Sequence, residues 1–182
     1  MPLILLAQSG DRRALAQLLQ GIQEALHGYL ARLVNDEHLA DDILQEVFVL
    51  IWQKLRWLRD PELFRPWVYR IASREAFHRL KKERFWSRLA SDAPLERLAQ
   101  EEPPEGVPQE WLDQLPSHLA AVSPASRAVL LLHYLQGLTL EEVADVLGLS
   151  PGTVKSRLAY GLAALRQRLG KNEVPHEGNA TA

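Results

Sequence analysis

The stretch Thr139–Leu158, TLEEVADVLGLSPGTVKSRL, carries the start and stop signals of two short helices joined by a tight turn. Thr139 and Glu142 stand three residues apart, the spacing at which a hydroxyl and a carboxylate cap each other's backbone N–H groups. Ala144 is small where a second helix has to cross closely, Gly148 permits a left-handed turn, and Ser150-Pro151 caps and begins the next helix. With about 3.6 residues per turn, Val154, Leu158, Leu162, Leu165 and Leu169 fall within an arc of about 80° and define an inward face. The opposite surface presents Thr153, Ser156, Tyr160 and Gln167, with Lys155 and Arg157 beside them. Hydroxyls and an amide at a helix start suit base edges in a major groove, and flanking cations suit phosphates. The bland alternative, a bundle helix with an ordinary solvated face, needs the capping box, the alanine, the glycine and Ser-Pro to coincide by accident. Ser150, Thr153, Lys155, Ser156, Arg157 and Tyr160 are the candidate duplex-reading set, although Lys155, like Arg127, also reads as a plain surface charge.

Outward from this motif, apolar residues recur at three and four positions through most of the chain and almost nothing alternates with period two, which predicts an all-α protein. Leu15, Leu18, Leu19, Ile22, Leu26, Tyr29, Leu30 and Leu33 mark one face of a helix over about 12–34, opened by Ser9-Gly10-Asp11. A second, over about 39–58, buries Leu39, Ile43, Val47, Leu50, Ile51 and Leu55. Asp60-Pro61 breaks the chain, and Pro66 suits the first position of a third helix running to about Arg88. Residues 89–109 hold four prolines and many acids, the composition of a tether. Four further helices are predicted, over about 109–121, 124–136, 140–147 and 151–169. The expected architecture is two helical domains, 1–90 and 109–170, joined by a flexible acidic linker over 91–108 and followed by a disordered tail, 171–182.

The 182 residues contain 21 Lys+Arg, 23 Asp+Glu and no Cys, and 47% are hydrophobic, which are globular proportions. The missing cysteines remove disulfides, thiolate zinc sites and iron–sulfur clusters. The apolar run Leu3–Ala7 is too short to span a membrane and lacks the flanks of a signal peptide, so a cytoplasmic protein without membrane insertion is expected. The net charge of −2 conceals segregation: residues 54–90 carry eleven basic against four acidic side chains, and 91–113 carry one against seven. A local basic block in a mildly acidic chain points to a polyanion-binding surface.

On the third helix Arg70, Arg74, Lys81, Arg84 and Arg88 fall within about 80° of one another, with Phe77 inside the arc and Trp67 at its margin. Cations interleaved with rings can follow a phosphate backbone and stack on unpaired bases, each stack being worth about 1–3 kcal/mol. The far side, Val68, Tyr69, Ala72, Ala76 and Leu80, is expected to face the core, and Glu75, Arg79 and Glu83, four apart, are expected to pair with one another. The preceding loop adds Trp57 and Phe64 at a bend where a flipped base fits. Rings in the core and cations on a solvated face are the competing reading. On the second helix Asp41, Asp42, Gln45 and Glu46 complement the positive end of the helix, and Asp42, Gln45 and Glu46 also form a patch able to receive Arg and Lys from another protein. Carboxylates on one turn without a histidine do not favour a transition-metal site, no phosphate loop or nucleophile elbow is present, and neither an enzyme, a metal nor a cofactor is expected.

These segments together resemble the extracytoplasmic-function (ECF, group IV) sigma factors of the sigma-70 family of bacterial RNA polymerase, over nearly all of residues 3–169. Asp41-Asp42-Ile43-Leu44-Gln45-Glu46-Val47-Phe48 is similar to the family's D-x-x-Q-E-x-F segment. Phe64-Arg65-Pro66-Trp67-Val68-Tyr69-Arg70-Ile71-Ala72 is similar to its F-R-x-W-L-Y-R-I-A segment, and Gly152-Thr153-Val154-Lys155-Ser156-Arg157-Leu158 to G-T-V-K-S-R-L. The resemblance implies a sigma2-like domain that docks on the β′ coiled coil of core polymerase and melts the minus-ten element. It also implies a sigma4-like domain that reads the minus-thirty-five element beside the β flap, and commonly an anti-sigma factor as a further partner. The chain departs from the pattern at Arg74 and His78, where Asn and Asp are usual, and at Tyr160-Gly161-Leu162, where Arg-Ala-Arg is frequent. His78 joins the minus-ten set by its place in that helix. The rivals are a two-domain regulator binding duplex operators without polymerase and a helical adaptor that binds no nucleic acid.

Overall fold

The computed structural model describes residues 2–88 and 118–172, with the side chains of 2–82, 118–120 and 122–167. Among them every regular element is helical. The predicted tether, most of the helix expected over 109–121, and the tail beyond 172 lie outside the described residues, as do the side chains of Arg84, Arg88 and Leu169.

The first half contains four helices. Helix α1, Pro2–Gln8, was not expected; its two turns are too short to show a period, and it is held by burial of Ile4 and by Gln8 Nε2, which donates to the carbonyls of Leu55 and Leu58 at 3.0 and 2.7 Å. Helix α2, Arg12–Val34, starts where the Asp11 carboxylate accepts from the N–H groups of Arg13 and Ala14, and stops at Asn35, whose φ of 59° is left-handed. Asp36 then caps α3, Glu37–Lys54. Two single-turn 3₁₀ segments, Leu55–Trp57 and Pro61–Leu63, lead into α4, Phe64–Arg88. That helix begins two residues before Pro66 because first-turn N–H groups have no intrahelical acceptor, so a proline costs nothing anywhere in that turn.

Among the described residues the second half contains a single-turn 3₁₀ segment, Leu119–Ala121, and three α-helices. Helix α5, Pro124–Leu130, is capped by Ser123 and widens over Leu131–Leu135 into a π-turn, whose signature is the Gln136 N–H donating to the Leu131 carbonyl. Helix α6, Leu140–Leu147, has the predicted capping box between Thr139 and Glu142 and ends at Gly148 with φ 64°. Helix α7, Pro151–Asn172, crosses α5 at Gly161, where a Cβ atom would come within 2.7 Å of the Leu130 side chain. The glycine in the departure Tyr160-Gly161-Leu162 thus lets α7 lie close to α5, and a larger residue there would make the Leu130 side chain shift.

The predicted apolar faces are the buried ones, except that Leu50 is only half-buried and stands outside the core. Leu26, Tyr29, Leu30 and Leu33 of α2 pack with Ile43, Val47 and Ile51 of α3 and with Val68, Ala72 and Ala76 of α4. Val143 of α6 and Val154, Leu158 and Leu162 of α7 pack with Val129–Leu132. The two halves also meet: α4 packs against α6, and α2 against α5, so the buried apolar cluster is continuous across them.

Candidate nucleic-acid and protein interfaces

At the start of α7 three of the six predicted residues, Ser150, Lys155 and Ser156, are exposed. Ser150 Oγ accepts from the Thr153 N–H at 3.2 Å, the N-cap bond, and lies 2.8 Å from Thr153 Oγ1, while the Ser156 hydroxyl donates to the Gly152 carbonyl at 3.0 Å. Lys155 and Ser156 are exposed, Arg157, Thr153 and Tyr160 half-buried, and buried Val154 and Leu158 lock the helix to its neighbours. Cations and short hydroxyls thus project from a helix whose rotation is set by its core. Such a face can meet phosphates and base edges without rearranging its fold.

On α4 the structure brings Arg70, Arg74, His78 and Lys81 to the exposed side, with Phe77 and Trp67 half-buried among them. The loop rings separate. Trp57 is 69% exposed with the Arg56 guanidinium 4.7 Å from its ring centre, whereas Phe64 is only 6% exposed. Phe64 is thereby corrected from a base-holding residue to a core residue that supports Trp67, 6.2 Å away ring to ring; its place at the start of α4 turns it inward with Val68. The expected pairing within α4 is also corrected: Arg79 bonds Glu46 of α3, because the crossing of the two helices offers it a carboxylate across their contact.

That ion pair ties one member of the acidic patch on α3. Asp41 is engaged with His27, Nε2 to Oδ1 3.1 Å, while Asp42 and Gln45 face solvent. Two turns further on, Val49 and Trp52 are 49% and 65% exposed and continue the line that Asp42 and Gln45 begin. Sequence reasoning passed over Trp52, and the one signal it offered was a tryptophan off the predicted core face of its own helix.

Arg127, read as a surface charge, is corrected to a buried group at 6% exposure. Its Nη1 donates to the carbonyls of Leu33 and Arg32 at 2.9 and 3.4 Å, its Nη2 to those of Val122 and Ala120 at 2.9 and 3.2 Å. Two of these belong to the last turn of α2, where carbonyls lack intrahelical donors and the helix end is negative. A compositional reading sees an arginine on an amphipathic helix; nothing local marks the orphan carbonyls about ninety-five residues earlier.

Tyr69 spans the same boundary, its hydroxyl donating to Gln136 Oε1, with Arg65 Nη2 at 3.5 Å from the same oxygen. Burial pushes the Tyr69 phenol above its ordinary value, outweighing the nearby Arg65 guanidinium, so it remains a donor. Tyr29, buried edge-on to Tyr69 and bonded to the Ser73 hydroxyl at 2.7 Å, is raised further by the same cause. Among the described residues no group of three or more His, Asp or Glu could hold a metal ion, and no helix is long and apolar enough to cross a membrane.

Comparison with known proteins identifies both halves of the chain. Residues 18–85 match the family "Sigma-70 region 2" and residues 118–167 match "Sigma-70, region 4", in the order of the two halves. The chain is 31% identical over 171 residues to the ECF RNA polymerase sigma factor SigL of Mycobacterium tuberculosis, covering 88% of this chain and 94% of that one. It is 30% identical over 169 residues to the probable RNA polymerase sigma factor RfaY of Xanthomonas campestris pv. campestris, of which it spans 42%. The solved structure of CnrH in complex with the cytosolic domain of CnrY superimposes with a TM-score of 0.66 at 28% identity, covering 94% of this chain and 97% of that one. With both regions present and an ECF sigma factor matched at 31% identity over 94% of its length, the chain belongs to the sigma-70 family of RNA polymerase sigma factors, in its ECF class.

Proposed function

We propose that the two halves divide the work of promoter-specific initiation, residues 1–90 acting as the sigma2-like unit and 109–170 as the sigma4-like unit on either side of the acidic linker 91–108. On α3, Asp42 and Gln45, with Asp41 and Glu46 released from their internal partners, dock on the β′ coiled coil of core polymerase, while the second half sits beside the β flap. Trp57, Trp67, Arg70, Arg74, Phe77, His78 and Lys81, together with Arg84 and Arg88 further along α4, hold the unpaired minus-ten strand. Ser150, Thr153, Lys155, Ser156, Arg157 and Tyr160 read the minus-thirty-five duplex. The protein works in the cytoplasm as a specificity subunit and not as a catalyst, and a partner anti-sigma factor holds it inactive. The structure of CnrH with a second protein's cytosolic domain supports the last point.

The observation that carries the reading is the exposed Lys155-Ser156 face at the start of a capped helix, on the same chain as the exposed Arg70-Arg74-Lys81 stripe. Transcription in vitro with core polymerase on genomic fragments tests it. Specific transcripts that require this chain are expected, and absence of initiation from every fragment overturns it. An operator-binding regulator would instead bind duplex sites tightly without polymerase.

A further inference from the structure

A groove of about 700 Å³ runs along α2 where it faces the start of α4 and the π-turn, apart from the surfaces already assigned. Its α2 wall is nearly bare: Gly21, Ala25 and Gly28 fall with Arg32 within about 60° of one another and leave the helix surface flat. At one end stand two exposed guanidiniums, Arg32 of α2 and Arg65 of α4, and neither meets a carboxylate among the described residues. Arg32 is nonetheless held in place. Its Nη1 donates to the Gly28 carbonyl at 2.9 Å and occupies space that a Cβ on residue 28 would crowd at 2.8 Å. Arg65 is steered by Gln136, Nη2 to Oε1 3.5 Å.

Gln136 adds a third donor. It is only 9% exposed, and its Oε1 is taken by the Tyr69 hydroxyl and Arg65. Its Nε2 has no partner among the described residues and is not sealed from solvent, so the amide hydrogens are left for whatever enters the groove. The π-turn sets this residue, and one-residue widenings of that kind recur at functional sites. At the other end of the wall Glu24 stands eight residues before Arg32 on the same helix, about 12 Å away along its axis. His27 also lines the groove but is engaged with Asp41.

We propose that this groove binds a phosphorylated small molecule of the nucleoside monophosphate class. The phosphate lies on Arg32, Arg65 and the Gln136 amide, the ring lies along the Gly21-Ala25-Gly28 wall, and Glu24 accepts from a sugar hydroxyl or ring amine. Two guanidiniums against one carboxylate select an anion, and their planar forks match phosphate oxygens. Inorganic phosphate satisfies one end only, and the bare wall and distant carboxylate call for a longer ligand. A nucleic-acid strand fits less well, because Glu24 repels the next phosphate along the wall. The volume is that of a small-molecule site. The inference does not depend on the assignment of α4 and α7 to DNA.

Equilibrium dialysis of the full-length chain, without polymerase or DNA, against labelled AMP and GMP tests the site. Saturable one-to-one binding of at least one of them is expected below about 1 mM, with inorganic phosphate and adenosine each displacing it at least about tenfold less well. Arg32→Gln and Arg65→Gln should each weaken binding about tenfold, and Glu24→Gln about threefold. Ala25→Trp blocks the wall without removing a polar group and should abolish binding while circular dichroism stays that of the parent. A saturating nucleotide should raise the unfolding midpoint of the parent and leave that of Ala25→Trp unchanged. No saturable binding of either nucleotide overturns the site. Phosphate binding as tightly as the nucleotide overturns the ligand class, and so does displacement by a short oligothymidylate at a lower concentration than by unlabelled nucleotide. Binding that survives Ala25→Trp and both arginine variants lies elsewhere and overturns the assignment. None of these failures touches the sigma reading, which polymerase-dependent transcription tests separately.

Discussion

The polar faces of α3 and α4 differ from that of α7 in how much of their bonding capacity is already used. On the first two helices Asp41 meets His27, Glu46 meets Arg79 and Arg70 meets the Asp145 carbonyl, each partner coming from another element. On α7 the hydroxyls of Ser150, Thr153 and Ser156 bond within their own turn, and Lys155 is exposed. Charged residues of similar type thus stand in two states, and the difference separates a surface able to bind as it is from one that must first release something. Equal substitutions on the two kinds of face should have unequal effects.

The largest effect is expected where the boundary itself is cut. Arg127→Met fills much of the same volume but leaves the Leu33 and Val122 carbonyls, both buried, without their donor, a loss of about 1–3 kcal/mol for each group. Urea unfolding should show the variant less stable by about 3 kcal/mol, and a loss below about 1 kcal/mol would mean that the guanidinium does not tie α2 to the second half. Next comes polymerase docking. Asp42→Arg should weaken core binding by about 2–3 kcal/mol, measured by competition against a labelled sigma factor, because it places a cation where an exposed carboxylate is offered. Glu46→Arg should cost less there, since the parent carboxylate must leave Arg79 before it can serve a partner, and it should also lower stability. Equal effects on core binding would remove the distinction between tied and untied acids.

How far each of these residues was legible in the sequence follows the same division. The capping box at Thr139, the left-handed Gly148 and the apolar stripe of α7 from Val154 to Leu165 depend on neighbours within a turn or two, and all three stand where the sequence places them. The partners of Arg79 and Arg127 come from other helices, so local spacing offered Glu75 and Glu83 to the first and solvent to the second. Phe64 misled for a related reason: a ring beside a Pro-interrupted bend reads as open to a ligand until the packing of the loop turns it inward. Helix α1 and the π-turn had no sequence signal, because two turns cannot establish a period and a one-residue widening leaves the apolar pattern of its helix intact. At the candidate sites residue types were readable, and which of them were already engaged was not.

The open face of α7 gives a smaller and cleaner effect. Removing both Lys155 and Arg157 as alanines should reduce holoenzyme affinity for promoter DNA about tenfold and flatten the salt dependence by about two units of slope, one for each phosphate left without its cation. Stability should change little, because Lys155 is exposed and Arg157 only half-buried. A loss of affinity with an unaltered slope would assign the two residues to shaping the helix and not to phosphates.

The smallest effect separates structure from recognition at one atom. Ser150 Oγ caps α7 through the Thr153 N–H and is also in the set expected to face the DNA. Ser150→Ala removes both roles and should lower stability by about 1 kcal/mol. Ser150→Asp keeps the cap, since a carboxylate accepts from the same N–H and favours the positive helix end, but it sets a negative charge against the phosphates. Thermal unfolding should therefore place the aspartate variant at or above the parent while its promoter binding falls below that of the alanine variant. Should the two variants bind promoter equally well despite their different stability, Ser150 lies away from the DNA and its only work is to start the helix that carries Lys155 and Arg157.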